Sequence, residues 1–474
     1  MTNKIVHILR YGTVAEKVHL EKAFSAFDYL SINGNTAAYV SSAIARFVVE
    51  KFFSNKEKGY FIDPITYAFQ NNIDLLFSEV KNTKEFTIKK SIARLIEAYK
   101  IPMSKIEQRI SLAPRDFGDS IKKEDFVNQI LSFQYNLVYK HIQDQDLQKY
   151  LDYVAPGQSA NIPQLRPKLL IAPYFYLDQQ SADWKEWLSL NLEFANISIQ
   201  QSKKEYDNTP VFAQILLNKS IIMDFEALKC VVEAYSGLEC DGYTIWIDDF
   251  NEHEATKEEL KGLVALLKGL PFKPKYNMYG GFFSILLTHK ELSLLSGVSH
   301  GLEYGESRMV YPVGGGIPVS KYYFLPLHQR LDFTKAFYLL EYVGILNISK
   351  ANWGASDKYF SDICGCSQCK SIIGKEMINF VEFESKEFYE IHRNNHVWRR
   401  KKASSETKQN CLYHYLLCKK YEFLQVKRND LRTILDDLER KCKSFERCDA
   451  IREGELDYIR FWIEICSDAE DNKS

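Results

Sequence analysis

The chain has 474 residues, 46% of them hydrophobic and 26% charged, and a net charge of −1. That length allows one large domain with additions, or two to three domains. The near-neutral balance excludes a global field for nucleic acid, so any such surface must be a local patch. No apolar run reaches the roughly 20 residues of a membrane span. Ten cysteines are too few for a disulfide framework. The start, MTNKIVHILRYG, lacks a signal peptide's apolar core and cleavage site, so a reducing, cytoplasmic location is expected.

Within residues 1–83, GYFID (59–63) reads as a strand, the first part of a larger sheet. Residues 84–160 read mostly helical, as an insertion, and GQSANIPQLRP (157–167) reads as a linker. From 161 to 350 short β-rich runs (KLLIAPYF, PVFAQILL, YTIWIDDF, PKYNMYGG, SGVSHGLEYG) alternate with helical stretches such as TKEELKGLVALLKGL. Strand, helix, strand at this pace indicates parallel βα units. Thr256 with Glu259 three residues on has the capping-box pattern of a helix start. Six or seven strands can be counted. The expected fold is α/β, a TIM-like (β/α)8 barrel formed by 1–83 and 161–350, with the helical insertion between them.

CGCSQCK (364–370) then puts Cys364, Cys366 and Cys369 inside six positions. Thiolates at this spacing converge on a metal, and a fourth ligand from further along would close a structural Zn2+ site. EFYEIHRNNHVWRRKK supplies His392 and His396 at i and i+4, one face if the segment is helical, so either is the candidate. Residues 351–410 are therefore expected to form a zinc-binding subdomain. Arg399, Arg400, Lys401 and Lys402 beside it form a basic patch suited to phosphates. Residues 411–474 read as a charged, helical C-terminal extension.

In eightfold barrels the working residues sit at the C-terminal ends of the strands. Those ends carry Asp63, Tyr174, Asp178, Gln214, Asp248, Asp249, Met278, Glu303 and Glu306. Carboxylates at successive strand ends suit two-carboxylate glycosyl chemistry. Any single Asp among them equally suits the N-cap of the following helix.

The strand ends and the cysteine cluster together resemble the queuine/archaeosine guanine transglycosylase superfamily, over roughly residues 59–400 and most closely from 210 onward. YFIDPITYAFQ puts Asp63 at the family's general acid/base position, and PVFAQIL puts Gln214 on its base-binding Gln. GYTIWIDDFNEHE puts Glu252 on the family's Glu, and KPKYNMYGG puts Met278 against the bound base. HGLEYGESR puts Glu306 on the nucleophile, where the family has Asp, so Asp249 also stands as a candidate. Trp246 and Ile247 replace the family's Gly-Gly.

IDPIT and ESRMVYPVGGGIPVSKYYFLPLH resemble the DNA-modifying branch. The resemblance thus implies exchange of guanine in DNA for a 7-deazaguanine, such as 7-cyano-7-deazaguanine, through a covalent glycosyl-enzyme. Asp63 would handle the proton, Asp178, Gln214 and Asp248 would bind the base edge, and Tyr174 would stack on it. The expected partners are DNA ahead of tRNA and a deazaguanine base, with a partner ATPase and a second copy of the chain left open, and no membrane. The alternatives are a tRNA-guanine transglycosylase and a non-catalytic binding subunit.

Overall fold

The computed structural model describes residues 5–11, 20–21, 23–53, 55, 57–80, 85–101, 103–119, 121–142, 145–154, 165–302, 305–311, 320–393 and 396–471. Glu303, the first eight residues of the expected linker, and the GGG run at 314–316 lie outside them.

Eight parallel strands form one sheet: β1 (Val6–Tyr11), β2 (Tyr29–Asn33), β3 (Gly59–Asp63), β4 (Leu170–Ile171), β5 (Val211–Leu217), β6 (Gly242–Ile247), β7 (Lys275–Asn277) and β8 (Gly297–Gly301). Their spatial order is β3-β2-β1-β8-β7-β6-β5-β4, so consecutive strands are neighbours and β1 lies beside β8. The sheet is nearly closed into a barrel. VFAQILL and GYTIWI are buried along their whole length, because a parallel strand covered on both faces has no solvent side.

The seam lies between β3 and β4. Lys168 N–H donates across it to the Tyr60 carbonyl at 2.8 Å. Helix α1 (Lys123–Asn136) supplies Gln134, whose amide donates to the Ile171 carbonyl at 2.8 Å and accepts from Ile171 N–H at 2.9 Å. One side chain thus satisfies the two backbone groups that a strand neighbour would otherwise pair, as buried peptide groups require. Residues 84–160 contain the helices Lys90–Tyr99, α1 and Gln145–Val154, and α1 packs on α2 (Trp184–Glu205) against the same core.

Helices α3 (Phe225–Ser236) and α4 (Lys257–Gly269) cover later strands. The Thr256–Glu259 capping box forms, with Glu259 N–H donating to Thr256 Oγ1 at 3.2 Å and Thr256 N–H to Glu259 Oε2 at 2.8 Å. Beyond the barrel come a small hairpin, β9 (Tyr322–Phe324) with β10 (Gln329–Leu331), then α5 (Ser367–Ile373). A second hairpin follows, β11 (Glu387–Arg393) with β12 (His396–Lys402), and then α6 (Ser405–Arg428), α7 (Leu431–Phe445) and α8 (Asp457–Asp471). A single buried core runs from Val6 to Ala469, so these last helices share the barrel's core.

Two expectations change here. The His392–His396 segment is a β-hairpin, so its i,i+4 helical face does not exist; the pair flanks the hairpin's tip instead. The expected boundary at 410/411 falls inside α6, which joins the cysteine module to the extension. Among the described residues, no helix is long and apolar enough to cross a membrane.

Candidate functional site

Cys366 is the N-cap of α5, its sulfur accepting from Cys369 N–H at 3.4 Å, so the helix start itself aims two thiols at one point. Cys364 and Cys369 are buried. The fourth donor is His414 of α6: its Nδ1 lies 3.8, 3.5 and 3.2 Å from the sulfurs of Cys364, Cys366 and Cys369. The four ligand atoms all fall within 4.8 Å of one another.

His414 Nε2–H donates to the Tyr323 carbonyl at 2.7 Å, which leaves the Nδ1 lone pair facing the thiols, the tautomer a metal needs. Tyr322 stacks on the imidazole with centroids 4.4 Å apart. Cys418, one turn along α6, adds a buried sulfur 3.7 Å from that of Cys364. Three soft thiols, with Cys364 and Cys369 buried and Cys366 half-buried, and an oriented imidazole could hold a metal ion.

His414 thus replaces the expected His392 or His396. The β12 side chains, His396 included, are exposed, and the His392 side chain lies outside the described residues. Arg399, Lys401 and Lys402 lie exposed on the same strand, paired with Glu390 at 3.1 Å, Glu384 at 2.7 Å and Glu387 at 3.9 Å. Arg400 is exposed beside them.

At the C-terminal mouth of the barrel the strand ends form two polar clusters, on either side of the turn Tyr279–Gly281. The first centres on Asp63, which is buried. Its Oδ1 accepts from Tyr174 O–H at 2.6 Å and from Ile65 N–H at 3.1 Å, and its Oδ2 pairs with Arg10 Nη2 at 3.2 Å. The Arg10 guanidinium lies over the Tyr279 ring, 4.4 Å from its centroid. Tyr67 and Trp246 complete an aromatic wall, with Trp246 4.8 Å from Tyr279 and 5.2 Å from Tyr67. Tyr174 therefore serves Asp63 as a donor; its ring packs on Tyr67.

The second cluster joins Glu252 and Glu306. Both carboxylates crowd Gly281, where an added Cβ would sit 2.7 Å from Glu306 Oε2 and 2.8 Å from Glu252 Oε2. A larger residue there would push the two carboxylates aside. Glu252 is buried and accepts from Ser284 O–H at 2.5 Å. Burial pushes its pKa up to about 7; the neighbouring Glu306 pushes the same way, and the Ser284 hydroxyl opposes both.

Glu306 reaches α6, with Lys419 Nζ 2.5 Å from its Oε1 and Tyr415 O–H donating at 3.2 Å. Lys419 is fully buried, and its Nζ also lies 2.9 Å from Glu422 Oε2 and donates to Tyr323 Oη at 2.9 Å. Burial works against the ammonium, but Glu306 and Glu422 outweigh it and raise its pKa. Glu306 also lines a cleft of about 550 Å³ together with His253, Lys321, Arg330 and Lys408.

The other expected residues stand apart from these clusters. Asp248 accepts from Tyr176 O–H at 2.8 Å and from Val310 N–H at 2.7 Å. Asp249 is exposed, with left-handed backbone (φ 51°). Asp178 accepts from Gln180 N–H at 3.1 Å, a local turn contact. Gln214 is buried in the barrel, its amide donating to the Ile215 carbonyl at 3.3 Å, and Met278 is buried.

Sequence reasoning missed Arg10, Ser284, His414, Tyr415 and Lys419. The one available signal was a histidine, a tyrosine and a lysine at 414, 415 and 419 on a helix otherwise rich in apolar residues. No family model matches the chain, and no curated protein matches it in sequence.

Proposed function

We propose that this chain is a base-exchange transglycosylase that replaces guanine in DNA with a 7-deazaguanine. One observation carries the reading: α6 supplies His414 to the cysteine cluster and Tyr415 and Lys419 to Glu306. A C-x-C-x-x-C module and a strand-end carboxylate are thereby one mechanical unit, the pairing the resembled family implies. The eight sequentially ordered parallel strands support a (β/α)8 barrel of TIM type with residues 84–160 as its helical insertion.

The Cys3His donor set suits Zn2+ in a closed, structural role, held by Cys364, Cys366, Cys369 and His414. Such an ion would fix the register of α6, and so the position of Lys419 against Glu306.

In the exchange, a Glu306 oxygen attacks C1′ of the target nucleotide, the C1′–N9 bond breaks with its electron pair leaving on guanine, and a glycosyl-enzyme forms. The arriving deazaguanine reverses the step at the same carbon. Asp63 relays the proton that the leaving base takes up and the arriving base gives off. Glu306 is preferred to Asp249 because it lines the cleft and is held by two donors, whereas Asp249 points to solvent from a strained backbone.

The exposed Arg400, with Arg399, Lys401 and Lys402, gives β12 a basic edge for phosphates; their acidic neighbours are surface pairs worth little, which phosphate can displace. The reaction needs DNA and a free base, and a partner ATPase or a second copy of the chain would serve duplex opening.

A second reading, a non-catalytic nucleic-acid-binding subunit, is favoured by the Lys419 ion pair, which already neutralises Glu306. Incubation of the full chain with labelled guanine and either duplex DNA or tRNA separates the readings. Label entering DNA supports the proposal. Label entering only tRNA moves the polymer to the family's other branch, and label entering neither leaves the binding subunit.

A further inference from the structure

Arg10, the last residue but one of β1, lies on the strand face that points into the barrel, in register with Ser31 of β2 and Gly301 of β8. Its guanidinium is buried, and one edge is fully used: Nη2 donates to Asn33 Oδ1 at 2.5 Å and to Asp63 Oδ2 at 3.2 Å. The other terminal nitrogen, Nη1, is buried and has no hydrogen-bond partner among the described residues. Thr244 Oγ1, inward on β6, is buried in the same condition. An unmet donor on a buried cation costs free energy, and native proteins leave such groups only where water or a ligand completes them. Around it stand the rings of Tyr67, Tyr174, Trp246 and Tyr279, with the Arg308 guanidinium donating to Tyr279 Oη at 3.0 Å; such rings suit a flat heteroaromatic partner.

We infer that Arg10, through Nη1, binds the O6 acceptor of the purine being exchanged. The inference rests on the transglycosylase reading. A guanidinium donor matches the carbonyl at position 6 of guanine and of a 7-deazaguanine. Adenine offers an amino donor at that position and meets donor with donor. Arg10 is then the residue that restricts the site to 6-oxopurines, a task for which the resembled family's Gly-Gly is missing here and Trp246 offers no equivalent backbone groups.

The test is equilibrium dialysis of the metal-loaded full chain with radiolabelled guanine and with 6-thioguanine, which keeps the N1–H and 2-amino donors but puts a weakly accepting sulfur at position 6. Wild type should bind guanine about tenfold tighter or more, the range for a charge-assisted hydrogen bond. In Arg10→Lys, which keeps the charge and loses the fork, the gap should shrink to about threefold or less. Equal binding of the two bases by wild type overturns the role of Arg10 and leaves the transglycosylase reading standing. A gap unchanged in a folded Arg10→Lys does the same. Binding of neither base by folded wild type overturns the exchange reading and the inference with it. If Arg10→Lys does not fold, the wild-type comparison decides alone.

Discussion

Replacing Lys419 with methionine keeps the length and apolar stem of the side chain and removes the only ammonium in a buried network. Three contacts go at once: Glu306 Oε1 at 2.5 Å, Glu422 Oε2 at 2.9 Å and Tyr323 Oη at 2.9 Å. Glu306 keeps Tyr415 and some solvent, since its side chain is 10% exposed. Glu422 is 1% exposed and keeps His328 Nδ1 at 2.6 Å and the Tyr323 hydroxyl. Removing one partner of a buried pair costs about 3–5 kcal/mol, and these remaining partners place the expected loss near the lower end.

Urea unfolding at pH 7 measures it, with Lys419→Met/Glu422→Gln as the control that restores neutrality and should recover part of the loss. The sign with pH is fixed. A buried carboxylate without its cation has a folded pKa above its unfolded value, so the deficit of the single variant is present at pH 7. It shrinks as pH falls towards the unfolded value, about 4.3 for Glu. A loss under about 1 kcal/mol, the size typical of exposed pairs, or a deficit that grows on acidification, would refute the network.

Other expectations follow from the same geometry. Purified protein should carry one metal per cluster, and His414→Ala should remove it and lower folding cooperativity, since metal-binding energy is folding energy; His396→Ala should leave the metal content unchanged. Glu252, with a folded pKa raised to about 7 by burial, favours the folded state less as pH rises from about 4.5 to 7, by on the order of 3 kcal/mol. Glu252→Gln should flatten that slope in urea titrations, and a wild-type stability that rises across this window would contradict the assignment. Asp63→Ala should lower stability as well as exchange, because it strands the buried Arg10; a melting temperature equal to wild type would mean that the pair is not formed.

The sequence made the long strands legible. VFAQILL and GYTIWI are apolar enough to announce burial on both faces, and GYFID ends on the carboxylate that the structure places in a polar cluster. β1 and β2 escaped because both faces of a barrel strand admit buried polar residues: Arg10, Ser31 and Asn33 face the barrel interior, and His7 packs on Phe423 of α6 from the other face of β1. Charged residues such as Arg10 and Lys419 read as surface until a partner from a distant element comes into view. Asp63 is 53 residues from Arg10, and Glu306 is 109 from Tyr415.

The metal ligand escaped for a related reason. The β11–β12 hairpin is interposed, so the histidine that closes the cluster lies 45 residues beyond Cys369, while a nearer histidine pair carries a spacing that only a helix would use. The strand-end rule located the mouth of the barrel without resolving which carboxylates turn inward. Asp63 does; Glu252 and Glu306 meet at Gly281, with Glu306 held by α6, and Asp249 faces solvent.

The central claim is that Glu306 attacks the nucleotide, and trapping the glycosyl-enzyme tests it most directly. The full chain is denatured during turnover with a guanine-containing DNA duplex and free deazaguanine, and covalent protein–DNA species are measured by intact mass and peptide mapping. The account predicts an adduct on the peptide containing Glu306, absent in Glu306→Gln and retained in Asp249→Asn. An adduct that survives Glu306→Gln, or active exchange with no adduct in wild type, would contradict it.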